Sequence, residues 1–175
     1  MPALLVHLAI SNEYIKRHPE EIKDVEAFRK GSISPDLDEK FEKILEKSEK
    51  FVSHYYHEGD DNETDYDRFF NNPKVDMSDD FWKGYYLHLL TDETFYTDSF
   101  KEEYTCAYSE GPHLYTDYQN LGKWLLKKYH IDKSENFFTK RVLFLSQPTS
   151  GKTQYIKKRK LKKFIKKMSK AKIEA

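Results

Sequence analysis

Gly84-Tyr85-Tyr86-Leu87-His88-Leu89-Leu90-Thr91-Asp92 lies near the middle of a run, Ser78 to Phe100, that no proline interrupts. Ser78 suits an N-cap, and Asp79 and Asp80 fall in the first turn, where the helix dipole favours acids. The pattern therefore predicts one helix. His88 and Asp92 are four residues apart, so on a helix both side chains project from one face. Phe81, Tyr85 and Phe95 share that face, which predicts that the imidazole and the carboxylate point inward. A carboxylate among aromatic rings must be paired, hydrogen-bonded or metal-bound, because stripping a buried charge of its partner costs about 3 to 5 kcal/mol. A bound metal ion meets that need, and so does a His–Asp hydrogen bond that ties two helices together.

Working outward from this stretch, apolar residues recur at helical spacing along most of the chain. Pro2 to about Arg17 reads as a helix with Leu4, Leu5, Leu8 and Tyr14 on its apolar side and His7 beside it. A shorter helix from about Glu20 is expected to stop at Gly31. The next, from Leu37 to about Tyr56, is opened by Asp36 with Glu39 as a capping pair. Gly59 to Thr64 reads as an acidic loop, Asp65 to Phe70 as a short helix closed by Pro73, and Lys101 to Tyr108 as a brief helix. Leu114, Tyr118, Leu121 and Leu125 mark a helix ending near His130. The run Phe137 to Leu145 has no second strand candidate to pair with, so helix is expected there too. The fold class is all-α, a single-domain bundle of six or seven helices.

Composition narrows the setting. At 175 residues the chain is long enough to bury a real core, and its 34% charged and 15% aromatic content predicts a soluble domain built on Phe and Tyr. The net charge of zero conceals a division. Residues 151–175 hold 11 basic residues against Glu174, or +10, and the remainder balances at −10. The chain thus divides into a body, 1–150, and a basic tail, 151–175, whose Leu161, Phe164, Ile165 and Met168 fall on one side of an amphipathic helix. Cys106 is the lone cysteine, which leaves no internal disulfide or thiolate cage, so a metal must be held by His and carboxylate. Met1 to Ile10 lacks a basic leader and does not read as a signal peptide, and no apolar run reaches the roughly 20 residues of a membrane span. Cytoplasm is the default location.

Four of the seven histidines carry the chemistry. His7 sits in Leu5-Val6-His7-Leu8-Ala9-Ile10, His54 follows Ser53 at the end of an apolar helix, and His88 leads the central pair. His113-Leu114-Tyr115-Thr116-Asp117 matches His88-Leu89-Leu90-Thr91-Asp92 at four of five positions. Each copy offers an imidazole nitrogen and a carboxylate oxygen, donors suited to zinc, iron or manganese. Two such pairs with His7 and His54 between them would suffice for two ions about 3.5 to 4 Å apart. Ser150-Gly151-Lys152-Thr153 lacks the leading glycine of a phosphate loop, and no His-Asp dipeptide of the HD phosphohydrolases occurs.

Taken in order, His7-Leu8-Ala9-Ile10, Phe28-Arg29-Lys30-Gly31-Ser32-Ile33-Ser34-Pro35-Asp36, Ser53-His54 and Gly84 to Asp92 resemble the zinc-dependent phospholipase C family and its bacterial relatives. That superfamily also includes zinc-dependent nucleases. The resemblance spans roughly residues 2 to 130. It implies an all-helical fold in which His7, Asp36, His54, His88 and Asp92 are metal ligands. It also implies that Asp36 bridges two ions or orients the attacking water, and that His113 and Asp117 stand where the family has a later His-x-x-x-Glu pair. The implied activity is metal-dependent hydrolysis of a small phosphate ester with one or two Zn2+, Mn2+ or Fe2+ ions. A mature N-terminal tryptophan ligand, which the family's secreted enzymes use, has no counterpart here. The alternative class is a non-catalytic helical scaffold whose basic residues 152–172 contact acidic partners such as nucleic acid or a membrane surface.

Overall fold

The computed structural model describes residues 4–37, 52–110, 114–135, 138 and 147–173. The expected helices over most of 37–56 and over 137–145 lie largely outside these residues. What is described is mostly helical, with one two-stranded hairpin. Among the described residues no helix is long and apolar enough to cross a membrane.

Helix α1 (Leu4–Arg17) is buried on every side from Leu4 to Ser11, so it is the central post of the bundle and not a surface helix with one apolar stripe. His7 is therefore inside with the leucines. Helix α2 (Val25–Ile33) begins five residues later than the expected Glu20, because Asp24 takes the cap and accepts from the Ala27 amide at 3.0 Å. A second acid ties its start to the central helix: one oxygen of Asp80 accepts from the amides of Lys23 at 2.8 Å and Asp24 at 2.6 Å. Gly31 does not end α2. It lies inside the helix, which runs on to Ile33 and into a single 3-10 turn, Ser34–Asp36.

The reason for Gly31 is a close crossing. A Cβ at Gly31 would stand 1.8 Å from the carbonyl oxygen of Phe81, and one at Gly84 would stand 2.1 Å from that of Phe28. Two glycines thus let the backbones of α2 and the central helix touch, which no larger residue would permit.

The acidic stretch expected as a loop is instead part of a hairpin. Strand β1 (Tyr56–His57) pairs antiparallel with β2 (Asp60–Thr64) through a turn in which Gly59 takes φ of 84°. Helix α3 (Tyr66–Phe70) follows, capped by Asp65. The central helix, α4, spans Asp80–Thr94 with Asp79 as its N-cap; Ser78 is engaged with Asp76 instead. After one wide turn, Phe95–Ser99, come α5 (Lys101–Glu110) and α6 (Leu114–Lys128).

The basic tail helix, α7 (Lys158–Met168), is docked. Leu161, Phe164, Ile165 and Met168 are buried in the same core as Leu5, Leu8 and Phe95, and the Phe164 ring meets Phe95 and Phe100 edge-on at 5.6 and 5.4 Å. Lysines cover the face left to solvent.

Candidate metal centre

Five side chains from four separate stretches meet around α1. His7 comes from α1, Asp36 from the 3-10 turn after α2, His54 from the segment before β1, and His88 and Asp92 from α4. All five are buried; Asp36, at 8% exposure, is the nearest to solvent. The i, i+4 spacing delivers His88 and Asp92 together, with 3.2 Å between His88 Nε2 and Asp92 Oδ2. His7 Nε2 lies 3.1 Å from Asp92 Oδ1, and His54 Nε2 lies 3.0 Å from Asp36 Oδ1 and 3.4 Å from Asp92 Oδ2. His88 Nε2 completes the ring at 3.7 Å from Asp36 Oδ2.

Of these contacts only His54 Nε2 to Asp36 Oδ1 has hydrogen-bond geometry. His7 Nε2, His88 Nε2 and both oxygens of Asp92 are buried and have no partner along a hydrogen-bond direction. Such orphaned atoms are costly, each on the order of 1 to 3 kcal/mol and more for charged groups. They lie close together without pairing, which is the arrangement a cation satisfies.

The imidazoles are oriented from behind. His88 Nδ1 is 2.6 Å from the carbonyl of Ser32, which can only accept, so Nδ1 carries a proton and Nε2 is the nitrogen turned to the carboxylates. The α2–α4 contact at Gly31 and Gly84 brings Ser32 that close. His54 Nδ1 faces the Ser53 hydroxyl at 3.0 Å. The Tyr85 hydroxyl in turn donates to the Ser53 carbonyl. Backbone and hydroxyl partners of this kind fix the tautomer of metal-binding histidines.

The charges respond to this crowding. Burial alone would raise the Asp36 carboxyl, but His88 and His54 outweigh it and hold it at about 2. Asp92 is likewise kept well below the usual carboxylate range, against its burial, by His88 and His7. Burial would depress His88, yet Asp92 and Asp36 lift it to about 9. His7 is pushed down by burial and by His88, whose ring stacks on it at 3.7 Å and 9°. Two stacked imidazoles cannot both carry a proton at small cost.

Two overlapping groups can hold a metal ion: His7, His88 and Asp92, and Asp36, His54 and His88. Their ligand atoms lie within 4.8 Å of one another in each group. Both groups count His88, and with Nδ1 committed to Ser32 that residue has one lone pair to give. The two groups cannot both be filled as complete triads, so a single ion is the simplest occupancy of the described residues.

Among the described residues, the acid of the second His-Asp copy is not part of either group. Asp117 is buried, but its Oδ1 accepts from the Gln154 amide at 2.8 Å and its Oδ2 from those of Tyr155 and Ile156 at 2.6 and 2.7 Å. It anchors the approach to α7, and its expected metal role gives way to that one. His113 lies outside the described residues. Asp36 accepts from His54 at the end of a 3-10 turn, and the helix it was expected to open lies largely outside the described residues. Ser32 and Gly84 went unmarked as contributors, although Gly84 stands one turn before His88 and on its face. Comparison of the chain with models of known protein families, with curated proteins and with solved structures found no match.

Proposed function

We propose that the protein is a metal-dependent hydrolase of phosphoric esters. The observation that carries the metal is the set of buried, unpartnered donor atoms on His7, His88 and Asp92. The ester chemistry rests on the ordered motifs that resemble the zinc-dependent phospholipase C family. An all-nitrogen-and-oxygen donor set with three imidazoles and two carboxylates suits Zn2+ and accepts Mn2+ or Fe2+. An ion bound there supplies Lewis acidity, acidifying a water and offsetting charge on phosphoryl oxygens.

The chain's own residues do the rest. Ser32 holds the His88 tautomer, and the His88 and Asp92 donors are set one turn apart on a rigid helix. Asp36 is the least buried of the five, on the side where water has the shortest way in. A carboxyl held at about 2 is a weak proton acceptor near neutral pH. Its role in the reaction is therefore to orient the attacking water by accepting a hydrogen bond rather than to remove a proton outright. To bind an ion, His54 gives up the Nε2 proton it now donates to Asp36 and donates instead from Nδ1 to the Ser53 hydroxyl.

Elemental analysis of purified protein and assays on a generic phosphodiester and a phosphomonoester test the proposal together. Stoichiometric zinc and activity, both lost in His88→Ala and Asp92→Ala, are the expected results. A folded, metal-free and inactive protein that takes up no added zinc refutes it and leaves the scaffold reading.

A further inference from the structure

The last turns of α1 and α6 approach α7 and leave a groove of about 270 Å³ on the far side of the basic tail from its acidic contacts. Lys16 and Arg17 enter it from α1, Lys128 from α6, and Lys162 and Lys166 from α7, with Glu13 as the one acid. All five cations are exposed, and among the described residues none of them forms an ion pair. The contrast lies within α7 itself. Lys160 and Lys167 are paired with Glu103 and Asp98 of the body. One flank of the helix is neutralised and the other is left positive.

Helix dipoles account for part of this. Lys16, Arg17, Lys128 and Lys166 sit in last turns, where cations are favoured. Lys162 is not in a last turn, and no dipole requires the ends of three helices to turn their cations into one groove. Five like charges gathered in a protein of zero net charge repel one another unless an anion lies between them.

The chemistry of the rim selects among polyanions. A helix that binds a membrane by insertion sinks an apolar face into it, but the apolar face of α7 is already buried in the core. Among the described residues the exposed large apolar side chains are Val52, Tyr108 and Tyr115, and none lines the groove. Single-stranded nucleic acid is held by stacking on exposed rings, and the one ring here, Tyr129, is buried. What remains is attraction to closely spaced phosphates. We infer that this groove and the adjoining face of α7 bind the phosphate backbone of duplex nucleic acid without reading its bases.

The inference does not rest on the hydrolase proposal, and it is tested with chelator present so that cleavage cannot intervene. Anisotropy of a labelled 20-base-pair duplex is followed from about 50 to 200 mM salt. Five phosphate contacts give a slope of log K against log salt of about −4.5. Changing Lys128, Lys162 and Lys166 together to Gln should flatten it to about −1.8 and weaken binding roughly 500-fold at 0.1 M salt. The same charge change at Lys30, Lys74 and Lys101, away from the groove, should cost less than about threefold. Equal losses in the two triple variants, or a wild-type slope shallower than about −2, overturn the inference. So does binding to vesicles containing phosphatidylserine with none to the duplex. Should the triple variant fold poorly, Lys162→Gln alone stands in for it and should flatten the slope by about 0.9, against no change for Lys74→Gln.

Discussion

Replacing Gly84 by Ala sets two effects against each other. By helix propensity alone the change stabilises an interior helical position by about 1 kcal/mol. Sterically, the new methyl would stand 2.1 Å from the Phe28 carbonyl oxygen and 2.9 Å from the Ser32 amide nitrogen, where ordinary contact begins at 3.4 Å. The shortfall, 3.4 minus 2.1, is about 1.3 Å, and both neighbours are backbone atoms that cannot swing aside. The helices must part, and the bond from His88 Nδ1 to Ser32 lengthens from 2.6 Å with them. Overpacking costs about 1 to 3 kcal/mol and a lost buried hydrogen bond a similar amount, so the steric side wins by roughly 1 to 5 kcal/mol. Urea unfolding in chelator should show a lower midpoint with an unchanged slope. Zinc affinity of the folded variant should fall about 10- to 100-fold, the usual cost of disturbing a ligand's supporting partner. A variant as stable as the parent, binding zinc equally well, would refute the reasoning.

Three further outcomes follow from the same geometry. In metal-free protein, His88 is lifted from 6.5 to about 9, so its share of stability is whole below pH 6.5 and fades as pH rises toward 9, by roughly 3 kcal/mol. His7, depressed, acts only below pH 6.5, and chemical denaturation at pH 6.5 and 9 therefore isolates His88; a flat profile contradicts the charge assignment. Zinc at a hundredfold excess over Kd should raise Tm by about 5 to 10 °C in the parent and by none in His88→Gln. Asp117→Ala strands three amide donors, one of them on buried Ile156, and should cost about 2 to 4 kcal/mol while opening residues 150–157 to protease. Its zinc content should match the parent's.

Much of the helical layout could be anticipated from residue types and spacing, whereas the meeting of His7, Asp36, His54, His88 and Asp92 was implied by the ordered motifs that resemble the zinc-dependent phospholipase C family. His88 and Asp92 were the most legible, because a four-residue interval on an uninterrupted helix leaves little freedom. Asp117 shows where that logic stops. The same pentapeptide pattern appears twice, but a pattern does not say what its face packs against. Asp92 turns toward α1 and meets His7, whereas Asp117 turns toward three backbone amides some forty residues later in the chain. Gly31 misled for a related reason: a glycine that ends a helix and one that admits a neighbouring backbone look alike until the neighbour is known. The hairpin at residues 56–64 was hidden by acidic residues of low strand preference, since its pairing and not its composition makes it a strand.

The docking of α7 has a consequence for how the protein is made. His18, just past the helix that carries His7, meets the Ser169 carbonyl at 3.1 Å across 151 positions of sequence, and the core around α1 includes Ile156, Leu161 and Ile165. While a ribosome is still translating the middle of the message, α1 has no wall on that side. The histidine nearest the start of the chain therefore reaches its final setting only after residues beyond 150 have emerged, and a product cut short before them would display an unfinished apolar surface for chaperones and proteases to find.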